Sequence, residues 1–141
     1  MGRRIAVATL LGFLASIAGS APALAAHNDS FSVSTGGGCA VVEFIDYGTW
    51  PDGTTHDDYI VVHDYCVDGK GTQGVFHVTY PNGNGYDHSV LNRLGYNAPP
   101  VYADMSNVSG GDLMWLTVCM TDGTNLAISC RDSTRRRSVD G

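Results

Sequence analysis

The sequence predicts an all-β domain, an antiparallel sandwich or small barrel of seven to eight short strands held by two disulfides. Three observations carry this expectation. Outside the N-terminus no stretch keeps an apolar period of 3.6 residues with capping signals. The 18 glycines punctuate the chain at intervals that suit turns rather than helix interiors. Four cysteines, an even number, fall in a chain that reads as exported.

Export is read from the first residues. Met1-Gly-Arg3-Arg4, the apolar run Ile5 to Ile17 and the small-residue site Ala23-Leu24-Ala25 are the three parts of a secretory signal peptide over 1–25. Arg3-Arg4 lacks the polar and Phe-Leu context of a twin-arginine signal, so general secretion is expected. The run is too short to span a bilayer, and no later stretch approaches ~18 uninterrupted apolar residues, so no stable membrane insertion is expected after processing. What remains is about 116 of 141 residues: a secreted domain over 26–131 and a polar tail over 132–141 expected to be flexible. Processing removes Arg3 and Arg4 from 8 basic residues and none of the 14 acidic ones. Up to Cys130 only Lys70 and Arg93 are basic, whereas four arginines crowd the segment from Arg131 on. An acidic body of this kind repels phosphate backbones, which argues against nucleic acid as a partner.

The elements follow in order. Phe31 to Ser34 alternates, and Cys39 to Tyr47 is rich in β-branched and aromatic residues; turn residues at Gly36-Gly37-Gly38 and Gly48 to Gly53 bound them as strands. Tyr59 to Cys66 and Gly74 to Tyr80, separated by Asp68-Gly69-Lys70-Gly71, give the strongest hairpin signal of the sequence. Ser89 to Tyr96 fits a short strand or one helical turn, and Gly95 with Pro99-Pro100 favours the strand. Val101 to Val108 is a weaker strand. Leu113 to Thr121 is apolar on both faces and is expected to run through the centre, with Trp115 in the core. Leu126 to Cys130 completes the set.

Four cysteines allow three pairings, and the absence of close C-x2-C pairs favours disulfides over a zinc site. The turn Asp122-Gly123-Thr124-Asn125 lies midway between Cys119 and Cys130 and would set them opposite each other, which leaves Cys39 for Cys66. Each bridge is expected to contribute about 2 to 4 kcal/mol by restricting the unfolded chain.

The run Asp58-Tyr-Ile-Val-Val-His-Asp-Tyr-Cys-Val-Asp-Gly-Lys-Gly71, and the ending Leu116-Thr-Val-Cys-Met-Thr-Asp-Gly with Ile128-Ser-Cys-Arg131, resemble small secreted β-sandwich-like proteins of actinobacteria. Those proteins are similar in having a signal peptide, an Asp-Gly hairpin and a late Cys hairpin. The resemblance covers about half of the processed chain. It implies export and a β fold, and implies no activity.

Catalytic signatures are absent: there is no G-x-S-x-G and no H-E-x-x-H, and no free thiol is expected. The nearest approach is His56-Asp57-Asp58 with His63-Asp64, two His-Asp pairs that would suit a small hydrolase or a metal-dependent enzyme. A zinc site wants three or four converging ligands, and His77 across the expected hairpin is the one further histidine within reach of His63. An EF-hand reading around Asp68-Gly69 fails because its third position is Cys66. No metal or cofactor is therefore expected. The loop from Asp46 to Gly53 displays Trp50, and a second loop displays Tyr80, Asn82, Asn84 and Tyr86. Aromatic rings on loops stack on sugars and act as hot spots for protein partners, or else fold back over the open end of the sandwich. The expectation is a non-enzymatic secreted binding module for an extracellular protein or cell-wall glycan, with these two loops as leading contacts. The basic tail could meet anionic wall polymers, meet the acidic body, or remain solvated.

Overall fold

The computed structural model describes residues 28–124 and 126–139, so the expected signal peptide and Asn125 of the Cys119–Cys130 turn lie outside the described residues. It is all-β, with no helix among those residues. Nine strands form: β1 (Phe31–Ser34), β2 (Ala40–Thr49), β3 (Thr55–Asp64), β4 (Gly71–Thr79), β5 (Gly85–Asn92), β6 (Val101–Asp104), β7 (Leu113–Thr121), β8 (Ala127–Asp132) and β9 (Arg136–Arg137). They make two antiparallel sheets in the orders β1-β2-β3-β6 and β5-β4-β7-β8, with β9 also pairing β7.

Alternation along each strand sends one set of side chains inward, and the core lies between the two sheets. Val42 and Phe44 of β2, Ile60 and Val62 of β3, and Phe31 and Val33 of β1 meet Phe76 and Val78 of β4 and Met114, Leu116 and Val118 of β7. Phe44 stacks on Phe76 across the middle, centroids 4.9 Å apart and planes within 6°. The sheets approach so closely at Gly74 that a Cβ there would stand 2.8 Å from Val42 Cγ2 and 2.9 Å from Val62 Cγ2. Any side chain at that position would force them apart.

Both disulfides form as the turn argument expected. Cys39–Cys66 closes the end of the β2–β3 pair beside Ala40 and Asp64, and Cys119–Cys130 joins directly opposed positions of β7 and β8. Such staples belong to an oxidising, extracellular-type environment. No helix among the described residues is long and apolar enough to cross a membrane.

Three expectations are corrected. The segment Asp68-Gly69-Lys70-Gly71 is not a hairpin turn: β3 pairs β2 and β6, β4 pairs β5 and β7, and the turn carries the chain from one sheet to the other. Local turn chemistry is the same for a hairpin and for such an arch. What separates β3 from β4 is that Ile60 and Val62 belong to one wall of the core while Phe76 and Val78 belong to the other. Trp115 is not in the core either. Met114, Leu116 and Val118 take the inward positions of β7, so Trp115 points out and is half-buried on the outer face.

The segment over 132–141, expected as a flexible tail, is paired within the described residues. Arg136 and Arg137 pair Met114 and Leu113. Ser133 exchanges hydrogen bonds with Leu116, its backbone N–H donating to Leu116 O (2.8 Å) and its hydroxyl accepting from Leu116 N (2.9 Å). Ser138 is buried, donates to Asp112 O and accepts from Gly111 N, both at 2.8 Å. Val139 N donates to Asp29 Oδ2 at 2.7 Å. β8 covers β7 only from Thr117 onward, and the tail supplies partners for the stretch that would otherwise be an unpaired edge. Polar composition alone does not reveal that backbone demand.

Candidate functional site

The outer face of the first sheet gathers the aromatic residues. After β2 the chain turns at Trp50, whose carbonyl accepts from Gly53 N (2.9 Å) and whose N–H donates to Thr54 O (2.8 Å). Asp52 braces the turn by accepting from the backbone N–H and the hydroxyl of Thr54. The hydroxyl contact, followed by the backbone one, holds its carboxyl below the ordinary range. The turn lays Trp50 back over the sheet. Its ring stacks on His56 at 4.6 Å, meets Tyr59 edge-on at 5.2 Å and Tyr102 at 5.4 Å.

Each neighbour is placed by strand pairing. Tyr59 and Val61 point outward from β3, and the pairing Val61↔Tyr102 brings Tyr102 of β6 alongside. Tyr59 lies across Gly48, where a Cβ would stand 2.5 Å from its hydroxyl oxygen, and that hydroxyl donates to Thr49 O at 3.4 Å. Burial, Tyr59 being 4% exposed, is the main cause that raises its phenol above the ordinary value of 10.0, with Tyr102 and Glu43 adding to it. Asp58 has a left-handed backbone, φ 51°, which interrupts the alternation of β3 and lets His56, three residues from Tyr59, share the same cluster. His56 Nδ1 lies 3.8 Å from Asp104 Oδ1. Tyr47, 65% exposed, and Tyr65, 50% exposed, extend the aromatic character of this sheet.

Trp50 therefore neither stands free on its loop nor caps the end of the sandwich; it is half-buried against the face of the sheet. The second expected contact loop behaves differently. Tyr80 and Tyr86 pack against the core, 6.2 Å apart, and the Tyr86 hydroxyl donates to Ser106 O at 3.1 Å. Burial is the first cause that raises the Tyr86 phenol above its ordinary value. Asn82 Oδ1 accepts from Asn84 N (2.9 Å) within its own turn, and both amides are exposed.

Among the described residues the histidines do not converge. His63 lies on the first sheet, with Nε2 2.9 Å from Glu43 Oε2 and Nδ1 2.9 Å from the Tyr65 hydroxyl. His77 lies on the second sheet, because β3 and β4 are not a hairpin, so the expected pairing of His63 with His77 has no geometry. On the outer face of that second sheet His77 Nδ1 is 2.7 Å from Asp87 Oδ1, its Nε2 is 3.0 Å from Thr117 Oγ1, and Thr117 donates to Asp132 Oδ1 at 2.6 Å. This line crosses β5, β4, β7 and β8. It has the order carboxylate, imidazole, hydroxyl of a hydrolytic triad. It sits on an open face, however, and the Thr117 proton is directed to Asp132 rather than toward the imidazole. A cleft of about 510 Å³ near Cys66, Leu94 and Tyr96, and another of about 280 Å³ between β1 and β8, are lined by no histidine among the described residues.

Asp46, Asp57 and Asp58 bring carboxylate oxygens within 4.8 Å of one another, a grouping that the sequence reading missed because it depends on the β2–β3 register. Oxygen ligands of this kind suit a hard cation. Two of the three are already engaged: Asp46 Oδ2 accepts from Asp29 N (2.9 Å), and Asp58 Oδ2 accepts from Val108 N (2.6 Å). Sequence reasoning also missed Tyr59 and Tyr102 as companions of Trp50. Alternation could have placed Tyr59 outward, but nothing local announces that β6 lies beside β3.

Fold and surface together define a disulfide-stapled β-sandwich with an aromatic outer face on one sheet. Comparison with protein-family models, curated proteins and solved structures finds no match to this chain.

Proposed function

We propose that the protein is a secreted, non-enzymatic binding module that takes an extracellular glycan on the outer face of its first sheet, centred on Trp50. The observation that carries this reading is the half-buried Trp50 held by His56, Tyr59 and Tyr102 at centroid distances of 4.6 to 5.4 Å. Rings fixed by packing present a flat apolar surface with little conformational entropy left to lose on binding. The carboxylate of Asp104 on the same face is an acceptor for sugar hydroxyls. Secretion draws its support from the signal-like segment over 1–25 together with the two disulfides. The Tyr80 to Tyr86 loop contributes at most its exposed amides, since its rings are spent on the core.

For a hydrolase at His56 and His63 the support is thinner. The two are seven positions apart on one strand, roughly 20 Å at the rise of an extended chain. Retention on immobilised peptidoglycan, chitin and xylan tests the binding reading. Wild type is expected to be retained on at least one, with retention reduced tenfold or more in Trp50→Ala while the circular dichroism spectrum is unchanged. Equal retention of wild type and a folded Trp50→Ala would overturn it, and retention on immobilised secreted proteins alone would replace the glycan by a protein partner.

A further inference from the structure

The arginines of the C-terminal segment are placed without counter-charges. Among the described residues, Lys70 pairs with Asp68 at 3.6 Å, and the other ion pairs involve only histidines; none joins Arg131, Arg135, Arg136 or Arg137 to a carboxylate. That is unexpected for a chain with 14 acidic residues, because a free basic tail could collapse onto the acidic surface. Pairing with β7 prevents the collapse and fixes the backbone from which these side chains project.

Each guanidinium is instead oriented by a ring or a carbonyl. Arg131 Nη1 reaches Ser34 O at 3.5 Å, Arg136 lies 4.8 Å over the Phe31 ring, Arg135 lies 4.4 Å over Trp115, and Arg137 Nη1 donates to Gly111 O at 2.9 Å. Arg131 and Arg136 thus lean toward β1 across the seam where the edges of the two sheets meet. There they line a cleft of about 280 Å³ together with the hydroxyl residues Ser32, Ser34 and Thr134. Asp132 also lines it, and Asp132 Oδ1 already accepts from Thr117. The aromatic and carbonyl contacts occupy few of the five N–H donors of each guanidinium, so most remain available to a ligand.

We infer that this seam is an anion site, separate from the aromatic face, and that its ligand is a tetrahedral oxyanion, phosphate or sulfate, free or as an ester group. Two guanidinium groups with hydroxyls beside them supply more donors than a carboxylate uses, and planar forks match the edges of a tetrahedral oxyanion. The acidic body around the seam favours a ligand that enters with one charged group and disfavours a long polyanion laid along the surface.

The test is titration of the purified protein with inorganic phosphate and, separately, sulfate at low ionic strength, followed by backbone amide resonances, which every variant keeps. Saturable shifts confined to the lining of the seam, Ser32, Ser34 and Thr134 among it, are expected, with affinity weakened tenfold or more in Arg131→Gln/Arg136→Gln and within twofold of wild type in Arg93→Gln. Because Arg136 packs on Phe31, Arg131→Lys/Arg136→Lys is measured alongside: it keeps the charge and the packing stem but loses the forks, and it is expected to bind several-fold more weakly than wild type. Titration with a monosaccharide sulfate against a monosaccharide phosphate then distinguishes a sulfate-ester from a phosphate-ester source, and saturation by the free ions with neither ester bound assigns the site to small anions. Shifts that do not saturate, or that are equal in wild type and the glutamine variant, overturn the proposal.

Discussion

Two histidine–tryptophan stacks sit on opposite outer faces of this sandwich, and they are built for different ends. On the first sheet Trp50 stacks on His56 at 4.6 Å, and on the second Trp115 stacks on His77 at 4.7 Å. Around Trp115 the neighbours are engaged by other groups or by the ring itself: His77 is held at both nitrogens, and Arg135 lies over the ring, 4.4 Å from its centroid. Around Trp50 the neighbours are other rings, and His56 is held at one nitrogen only, Nε2 lying 3.0 Å from Thr54 Oγ1 while the carboxylate nearest its Nδ1 is 3.8 Å away. The same pair of residue types is thus closed off by the chain's own C-terminal segment in one place and left presentable in the other. The difference teaches that an aromatic residue reads as a contact through what covers it.

Removing the staples is the largest way to perturb the two sheets separately. Cys39–Cys66 joins residues 27 positions apart and Cys119–Cys130 residues 11 apart, so chain-entropy arguments assign about 3.5 and about 2.8 kcal/mol. Urea unfolding of Cys39→Ala/Cys66→Ala and Cys119→Ala/Cys130→Ala should show the first variant as the less stable; the reverse order would place more of the stability in the second sheet's hairpin.

Truncation after Asp132 removes β9 and uncovers Trp115. It deletes the four hydrogen bonds that Ser133 and Ser138 make to β7 and its approach, and at a net ~0.5 kcal/mol each, the low end for bonds at the exposed edge of a sheet, the expected loss is about 2 kcal/mol. Thermal melts read this, together with a red shift of Trp115 emission. An unchanged melt would mean that the tail adds nothing to the closed face.

Next in size is His77→Ala, which breaks the line from Asp87 to Thr117 and is expected to cost about 1 kcal/mol, against about 0.5 kcal/mol for His56→Ala, which loses a single hydrogen bond, to Thr54, and a long exposed ion pair. Equal costs would erase the contrast between a tied and a presentable histidine.

The smallest effect is on pH dependence. Burial raises the Tyr59 and Tyr86 phenols above their ordinary value in the folded state. As pH climbs past about 10 the unfolded chain loses those protons first, so it binds fewer protons than the folded chain and stability falls. The contribution is complete below pH ~10 and is lost as pH rises through the folded values. Urea midpoints between pH 8 and 11 should decline less steeply in Tyr59→Phe/Tyr86→Phe, and identical slopes would show that these phenols are not shielded.

The strand runs, the turn at Asp122 and the Cys119–Cys130 bridge were legible because each rests on residues close in sequence, and Cys39–Cys66, 27 positions apart, followed by elimination. Asp122 itself accepts from Thr124 N and Leu126 N, the local chemistry that a turn signal encodes. The partition of β3 and β4 between sheets was not legible, since the turn between them is compatible with either path. The site was half legible. Trp50 stood out as a large ring among turn residues, but its setting depends on Tyr102, which reaches it only through the β3–β6 pairing. Trp115 misled for the complementary reason: an apolar run suggested a core position, and the cover comes from Arg135, twenty residues on.

The central claim, that Trp50 and not Trp115 is the contact, is tested most directly by fluorescence of single-tryptophan variants. Trp115→Phe leaves Trp50 as the sole reporter and Trp50→Phe leaves Trp115. On addition of solubilised wall-glycan oligosaccharides, a saturable shift of emission is predicted in Trp115→Phe and none in Trp50→Phe. A shift of equal size in both, or in Trp50→Phe alone, would contradict it.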